Sequence, residues 1–293
     1  MKKIAFVINP NSGVSDKKQV IAFLHDKFIN SQELFVEFYY TKGKGDATIA
    51  AQKFSENNFD VVVAVGGDGT VNETSRGLLN SKTSLAIIPS GSGNGLARHL
   101  KIPLSYKKAS ELILTGKDIS IDVGKINDEY FFCTAGIGFD AVIGEKFNSA
   151  GTRGILTYIE QCTKEYIKYR PEKYKIIVAD NILEYEAFLI TFANSSQWGN
   201  NAFISPDASI SDGFLDMVVW KKTPLITIPI LAADLFLKTI KYSEHIDIFR
   251  CNEVKIIRES DGVMQFDGES VNAGKEINVS ILHNSLKVIV ENA

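Results

Sequence analysis

Two glycine-rich segments carry most of the chemistry this sequence offers. The first, Gly66-Gly67-Asp68-Gly69-Thr70-Val71-Asn72-Glu73, follows the apolar run Val61–Val65 without a break. Glycines at a strand end accept positive φ and let backbone N–H groups approach an anion with no Cβ in the way. A helix starting there adds the partial positive charge of its N-terminus. Asp68, set among glycines, could hold a magnesium ion or its water shell against phosphates. Thr70 and Glu73 have the spacing of a capping box, so for Glu73 a role in the helix and a role towards a ligand are both open. The second segment, Ile87-Ile88-Pro89-Ser90-Gly91-Ser92-Gly93-Asn94-Gly95, repeats the arrangement one strand later. Neither is a dinucleotide fingerprint: Asn72 stands where the first needs its third glycine, and the second runs Gly91-x-Gly93-x-Gly95. No Gly-Lys-Ser/Thr occurs, which excludes a P-loop. Two such turns after successive parallel strands fall on the ligand-binding edge of an open α/β sheet.

The second half offers carboxylates. Phe266-Asp267-Gly268-Glu269 lies between two β-patterned segments, where an acidic tip is most simply a solvated turn. Asp122 interrupts an apolar strand. Buried, it would need a partner; strand alternation could equally turn it to solvent. Ser209-Ile210-Ser211-Asp212-Gly213-Phe214-Leu215-Asp216 reads as a turn before a strand. His25, His99, His245 and His283 form no i, i+4 pair, which removes support for a zinc protease. Lys164, Lys168, Arg170, Lys173 and Lys175 read as a solvated helix end and strand start, with attraction to anionic lipid headgroups as the lesser alternative.

The elements that must position these residues change character along the chain. Up to about residue 120, strand and helix patterns alternate. Strands are expected at Ile4–Ile8, Leu34–Tyr40, Asp60–Val65 and Leu85–Ile88. Helices are expected through Val20, Ile21, Leu24 and Phe28, through Ile49, Ala50 and Phe54, and after Thr70. That alternation implies an α/β domain with an open, mostly parallel sheet. From Ile119 short β-type runs dominate: Ile119–Val123, Tyr130–Thr134, Tyr174–Ala179, Ala187–Phe192, Leu215–Trp220, Glu253–Ile257, Ile277–Leu282 and Leu286–Val290. Helical inserts near Gly154–Tyr169 and Leu225–Tyr242 interrupt them. These runs predict an antiparallel β-sandwich. The expected division is 1–120 and 121–293, with the ligand cleft between the two parts.

Composition sets the class. The chain has 293 residues, 45% hydrophobic and 23% charged, as in ordinary globular proteins rather than disordered or collagen-like chains. A formal charge of −3 gives no global basic field for nucleic acid. Cys133, Cys162 and Cys251 include no Cys-x-x-Cys pair, and so sparse a set suits a reducing cytosol. The N-terminal apolar run stops at Asn9-Pro10-Asn11, too early for a signal peptide. The most apolar stretch, Pro224–Leu237, is too short to span a bilayer and reads as a buried or interfacial helix.

Taken with Asn9-Pro10-Asn11-Ser12-Gly13, Thr41 and Gly45-Asp46-Ala47, the two glycine turns resemble the diacylglycerol kinase catalytic fold, shared with bacterial lipid kinases and sphingosine kinases. The Gly-Gly-Asp-Gly-Thr core is similar to that of NAD kinases and 6-phosphofructokinases as well; the Asn9–Gly13 start and the C-terminal motifs narrow the resemblance to lipid kinases. It implies an ATP site lined by Asn9, Ser12, Thr41, Gly67, Asp68, Gly69, Thr70, Val71, Asn72, Glu73 and Ser92. It implies Mg²⁺ at Asp68 with Asp122 in the same network, and a structural metal held by the Asp212 carboxylate and the carbonyls of Ser209 and Phe214. Glu269 would be the catalytic base, with Asp267 holding its turn and Asp68 completing the catalytic pair. Asn94-Gly95 is closer to the sphingosine kinase pattern than to the Asn-Asp of many bacterial relatives. The reading is therefore an ATP- and Mg²⁺-dependent lipid kinase acting on a diacylglycerol-like lipid or a sphingoid base. It would be cytoplasmic and peripheral at the membrane, bind no nucleic acid, have no transmembrane segment, and be compatible with a homodimer. The alternatives are an NAD kinase and a catalytically idle nucleotide- or lipid-binding regulator.

Overall fold

The computed structural model describes residues 1–11, 17–29, 31–139, 141, 169–179 and 181–292. The chain forms two compact units, residues 1–122 with 283–293, and residues 123–282. The sequence reading placed a single division at 120/121; in the structure the C-terminal segment groups with the first unit.

The first unit alternates strand and helix: β1 (Lys2–Ile8), α1 (Lys17–Ile29), β2 (Leu34–Tyr40), α2 (Asp46–Glu56), β3 (Val61–Gly66), α3 (Asp68–Gly77), β4 (Ser84–Pro89), α4 (Gly95–His99), α5 (Tyr106–Thr115) and the start of β5 (Lys117–Ile126). Its sheet order is β2-β1-β3-β4, extended by the last part of β15 (Glu276–Val290), and the pairings are parallel. All residues of β3 and β4 are buried, as continuous apolar runs require when helices cover both faces. α1 buries Val20, Leu24 and Phe28, three of the four residues expected on its inner face. In α2 the buried face is Ala47, Ala50, Ala51 and Phe54, so Ala50 and Phe54 face inward as expected while Ile49 is 68% exposed. Small residues win there because α2 packs closely on α3: a Cβ on Gly77 would lie 2.4 Å from the Thr48 carbonyl oxygen.

The second unit is the antiparallel sandwich. It contains β6 (Glu129–Phe131), β7 (Thr134–Gly138), β8 (Glu172–Val178), β9 (Asn181–Ala193), β10 (Leu215–Lys221), β11 (Ile246–Cys251), β12 (Glu253–Arg258), β13 (Gly262–Phe266) and β14 (Glu269–Ala273), and it includes parts of β5 and β15. The order β14-β13-β7-β9-β8-β12-β15 is antiparallel, and β10 pairs with β9 and β11. β10 shows how the layers form. Leu215, Met217 and Val219 enter one apolar cluster, while Val218 and Trp220 enter another on the opposite face.

Three expectations change here. The run Tyr130–Thr134 is broken between β6 and β7, because the Asp267 carboxylate takes the N–H groups of Phe132, Cys133 and Thr134. The runs Ile277–Leu282 and Leu286–Val290 are one strand, β15. β11 was not anticipated. The Leu225–Tyr242 insert is a helix at Ile228–Leu237 flanked by 3-10 turns. The Gly154–Tyr169 insert lies outside the described residues, apart from Tyr169.

Candidate active site

Strand register brings the first-unit motifs to one edge. Ile8 pairs with both Tyr40 and Val65, and Val65 pairs with Ile88. The segments that leave β1, β2, β3 and β4 therefore start level with one another. They carry Asn9, Thr41, Gly67–Glu73 and Ser92. The Thr41 N–H donates to the Ile8 carbonyl and the Asn9 N–H to that of Val65, which extends the register past the strands. Asn9 then closes an Asx turn, its Oδ1 accepting from Asn11 N–H at 3.0 Å. The order β2-β1-β3-β4 reverses direction between β1 and β3, and an open α/β sheet binds ligands at the carboxyl ends of strands beside such a reversal. Ser12 lies outside the described residues.

The two glycine turns are locked face to face. A Cβ on Gly91 would lie 2.7 Å from Gly67 Cα, so position 91 needs glycine for backbone proximity, and a Cβ on Gly67 would be tight at 3.2 Å from Gly91 Cα. Asp68 bridges them: its Oδ2 accepts from Asn94 N–H at 2.9 Å and its Oδ1 from Gly95 N–H at 2.7 Å. Asn94, at φ +51°, turns its side chain back onto Gly91, accepting from the Gly91 N–H and donating to the Gly91 carbonyl. A Cβ on Gly93 would come within 2.8 Å of Asp68 Oδ2. Asp68 is thus both a candidate metal-facing carboxylate and the clamp between the turns, and the clamp was not legible in the spacing.

The expected capping box does not form. α3 begins at Asp68 with Gly67 as its N-cap, so Thr70 lies inside the helix. The Glu73 carboxylate instead accepts from Gly45 N–H (2.9 Å) and Ala47 N–H (3.2 Å), capping the start of α2. Thr70, Val71 and Asn72 are buried, with Asn72 Oδ1 accepting from Arg76 Nε. Gly69 is exposed. The α3 N-terminus supplies N–H groups with no intrahelical partner, which fits an anion such as a nucleotide phosphate.

Asp122 is fully buried, which removes the solvent-facing alternative. Its Oδ1 is 2.7 Å from His283 Nδ1 and accepts from Asn284 N–H at 2.7 Å. In the Ser209–Phe214 loop, Asp212 accepts from Phe214 N–H and is ion-paired with Arg250, whose guanidinium also lies over the Phe214 ring. A cation there would compete with a fixed positive charge. Among the described residues no group of three or more His, Cys, Asp or Glu forms a metal cage. Mg²⁺ commonly keeps several waters and binds one or two carboxylates together with substrate phosphates, and the Asp68 edge fits that mode.

In the second unit the Asp267 carboxylate accepts from three backbone donors, Phe132, Cys133 and Thr134, at 2.8 to 3.2 Å. Asp267 itself sits at φ +47°, followed by Gly268 at φ +86°. The turn is pinned, and Glu269 leaves it as the first residue of β14, half-buried. Arg258 holds the other end of the hairpin: its guanidinium donates to the carbonyls of Gly262, Val263, Ala273 and Gly274. The sequence reading passed over it, since an arginine in a β run gives no sign that it is 4% exposed.

Known proteins share both halves. Residues 3–126 match the diacylglycerol kinase catalytic domain, and residues 133–290 match the YegS C-terminal NAD kinase beta sandwich-like domain. A diacylglycerol kinase of Bacillus subtilis is 30% identical over 276 residues, covering 92% of this chain and 90% of its own. A solved Bacillus anthracis structure assigned to the diacylglycerol kinases superposes with a TM-score of 0.81 at 25% identity, covering 99% of this chain and 97% of that one. An NAD kinase of Archaeoglobus fulgidus, solved with ATP, shares the fold at TM-score 0.52 and 13% identity, covering 99% of this chain and 94% of that one.

Proposed function

The chain belongs to the diacylglycerol kinase family of ATP-dependent lipid kinases, and we propose that it transfers the γ-phosphoryl group of ATP–Mg²⁺ to the hydroxyl of a diacylglycerol-like lipid or a sphingoid base at a membrane surface. The observation that carries the reading is the strand register that gathers Asn9, Thr41, the Asp68 turn and Ser92 at one sheet edge. The backbone donors of the first turn receive the phosphates, and Asp68 holds the water shell of the nucleotide's Mg²⁺. Asp122 belongs to the same carboxylate network in this reading. When bound, Mg²⁺ would neutralise phosphate charge during a transfer that needs positioning and electrostatics more than covalent help. No metal role is proposed for Ser209, Asp212 and Phe214, given the Arg250 pairing.

Glu269 is the general base in this proposal. The acceptor hydroxyl must lose a proton as it attacks, and a carboxylate held by a pinned turn can take it. Asp267 and Arg258 keep that turn and its hairpin in place, so they act on position and not on the proton. Glu269→Gln preserves size and removes proton affinity. General-base catalysis is worth about 10² to 10⁴ in rate. The variant is expected to lose that much kcat for the lipid while binding ATP–Mg²⁺ as the parent does. A small kcat loss, or one accounted for by weaker ATP binding, would reduce Asp267-Gly268-Glu269 to a structural turn.

A further inference from the structure

The two glycine turns contain no lysine or arginine. Their anion-binding capacity is also partly spent, because the N–H groups of Asn94 and Gly95 already serve the Asp68 carboxylate. A triphosphate placed beside that carboxylate needs positive charge from elsewhere in the chain as well as from its metal ion. Arg98 reaches the second turn, but its Nε is engaged with the Gly93 carbonyl at 2.9 Å; at the junction of the two turns the cation is Lys17, the first residue of α1, which lies outside every motif of the sequence reading. Its Nζ donates to Ser90 Oγ at 2.5 Å. The Ser90 N–H in turn donates to the Gly66 carbonyl at 2.8 Å, and the next residue, Gly91, is the one pressed against Gly67. The ammonium is therefore tied to the junction of the two turns.

We propose that Lys17 binds the phosphate chain of the nucleotide, as a cation brought to turns that carry none in their own sequence. Burial pushes the Lys17 ammonium down to about 8, so the site penalises its charge until an anion offsets it. Lys18, the next residue, is exposed and serves as an internal control. The inference rests on the nucleotide half of the proposed function and is independent of the acceptor.

The test is calorimetric titration of ATP–Mg²⁺ and, separately, adenosine into wild type, Lys17→Met, Lys17→Gln, Lys17→Arg and Lys18→Met. Losing a hydrogen bond to a charged group weakens binding by roughly tenfold to a hundredfold. Lys17→Met should show that loss for ATP–Mg²⁺ and none for adenosine. Lys17→Gln, which keeps a donor for Ser90 if the methionine variant does not fold, should show the same selective loss. Lys17→Arg should recover most of the affinity, and Lys18→Met should match wild type. Equal losses for ATP and adenosine, or no loss for either, would overturn the assignment. So would normal ATP affinity combined with reduced recovery of Lys17→Met on phosphatidylglycerol vesicles, which would place the ammonium on lipid phosphate. No lipid acceptor is present in the titrations, so a failure of the lipid reading leaves their result standing. Wild type that does not bind ATP–Mg²⁺ would overturn both.

Discussion

Asp68 does two jobs with one carboxylate, and its substitution should report both. Removing it frees the Asn94 and Gly95 N–H groups at the start of α4, a change comparable to losing a helix cap, about 0.5–2 kcal/mol. Asp68→Ala should therefore abolish phosphoryl transfer, lower stability by about that amount in urea unfolding, and speed amide exchange at Asn94 and Gly95. Activity like that of wild type would remove the metal role assigned to Asp68; loss of activity with unchanged exchange at those amides would remove the clamp. At this scale the sequence disclosed residue types and their shared edge. It did not disclose partners, because these are fixed by contacts far along the chain. Glu73 has the right spacing to cap its own helix and instead caps α2, 26 and 28 positions upstream. Lys17 drew no attention for the same reason: its partner is 73 positions away.

The Ile228–Leu237 helix is apolar on two faces. Leu231 and Leu235 are buried in the second unit, while Ile230, Phe236 and Leu237 are exposed, with Ile226 and Tyr242 exposed in the flanking turns. A run of large apolar side chains open to water is costly for a surface helix and suits the headgroup–acyl boundary of a bilayer. Among the described residues no helix is long and apolar enough to cross a membrane. The expectation is reversible docking: the protein should float with anionic vesicles, and Ile230→Asp with Phe236→Asp should reduce the floated fraction. Unchanged flotation of the double variant would move the docking surface elsewhere; no flotation of wild type would favour a water-soluble acceptor. Element identity was legible wherever one period dominated, as in β2, whose limits match the apolar run at Leu34–Tyr40. It was less legible where a tertiary contact intervened. The Asp267 carboxylate divides β6 from β7, and β15 runs unbroken through Asn284, a residue at φ +53° that reads as a turn in sequence.

The whole chain passes between its units twice, at Asp122–Val123 and Leu282–His283. The Asp122–His283 hydrogen bond ties the two crossings together on the first-unit side. Composition and the change from alternating to β-only patterning were enough to indicate an α/β part and a sandwich. The return of the last strand was not legible, because a strand at the end of a β-rich region carries no mark of the sheet it will join. The central claim belongs to this scale, since it draws on residues of both units. Its most direct test is a transfer assay with γ-labelled ATP and Mg²⁺, offering diacylglycerol, a sphingoid base and NAD separately, the lipids in anionic vesicles. The account predicts label on a lipid, with NAD unlabelled. Label on NAD with none on either lipid, or ATP binding with no transfer to any acceptor, would contradict it.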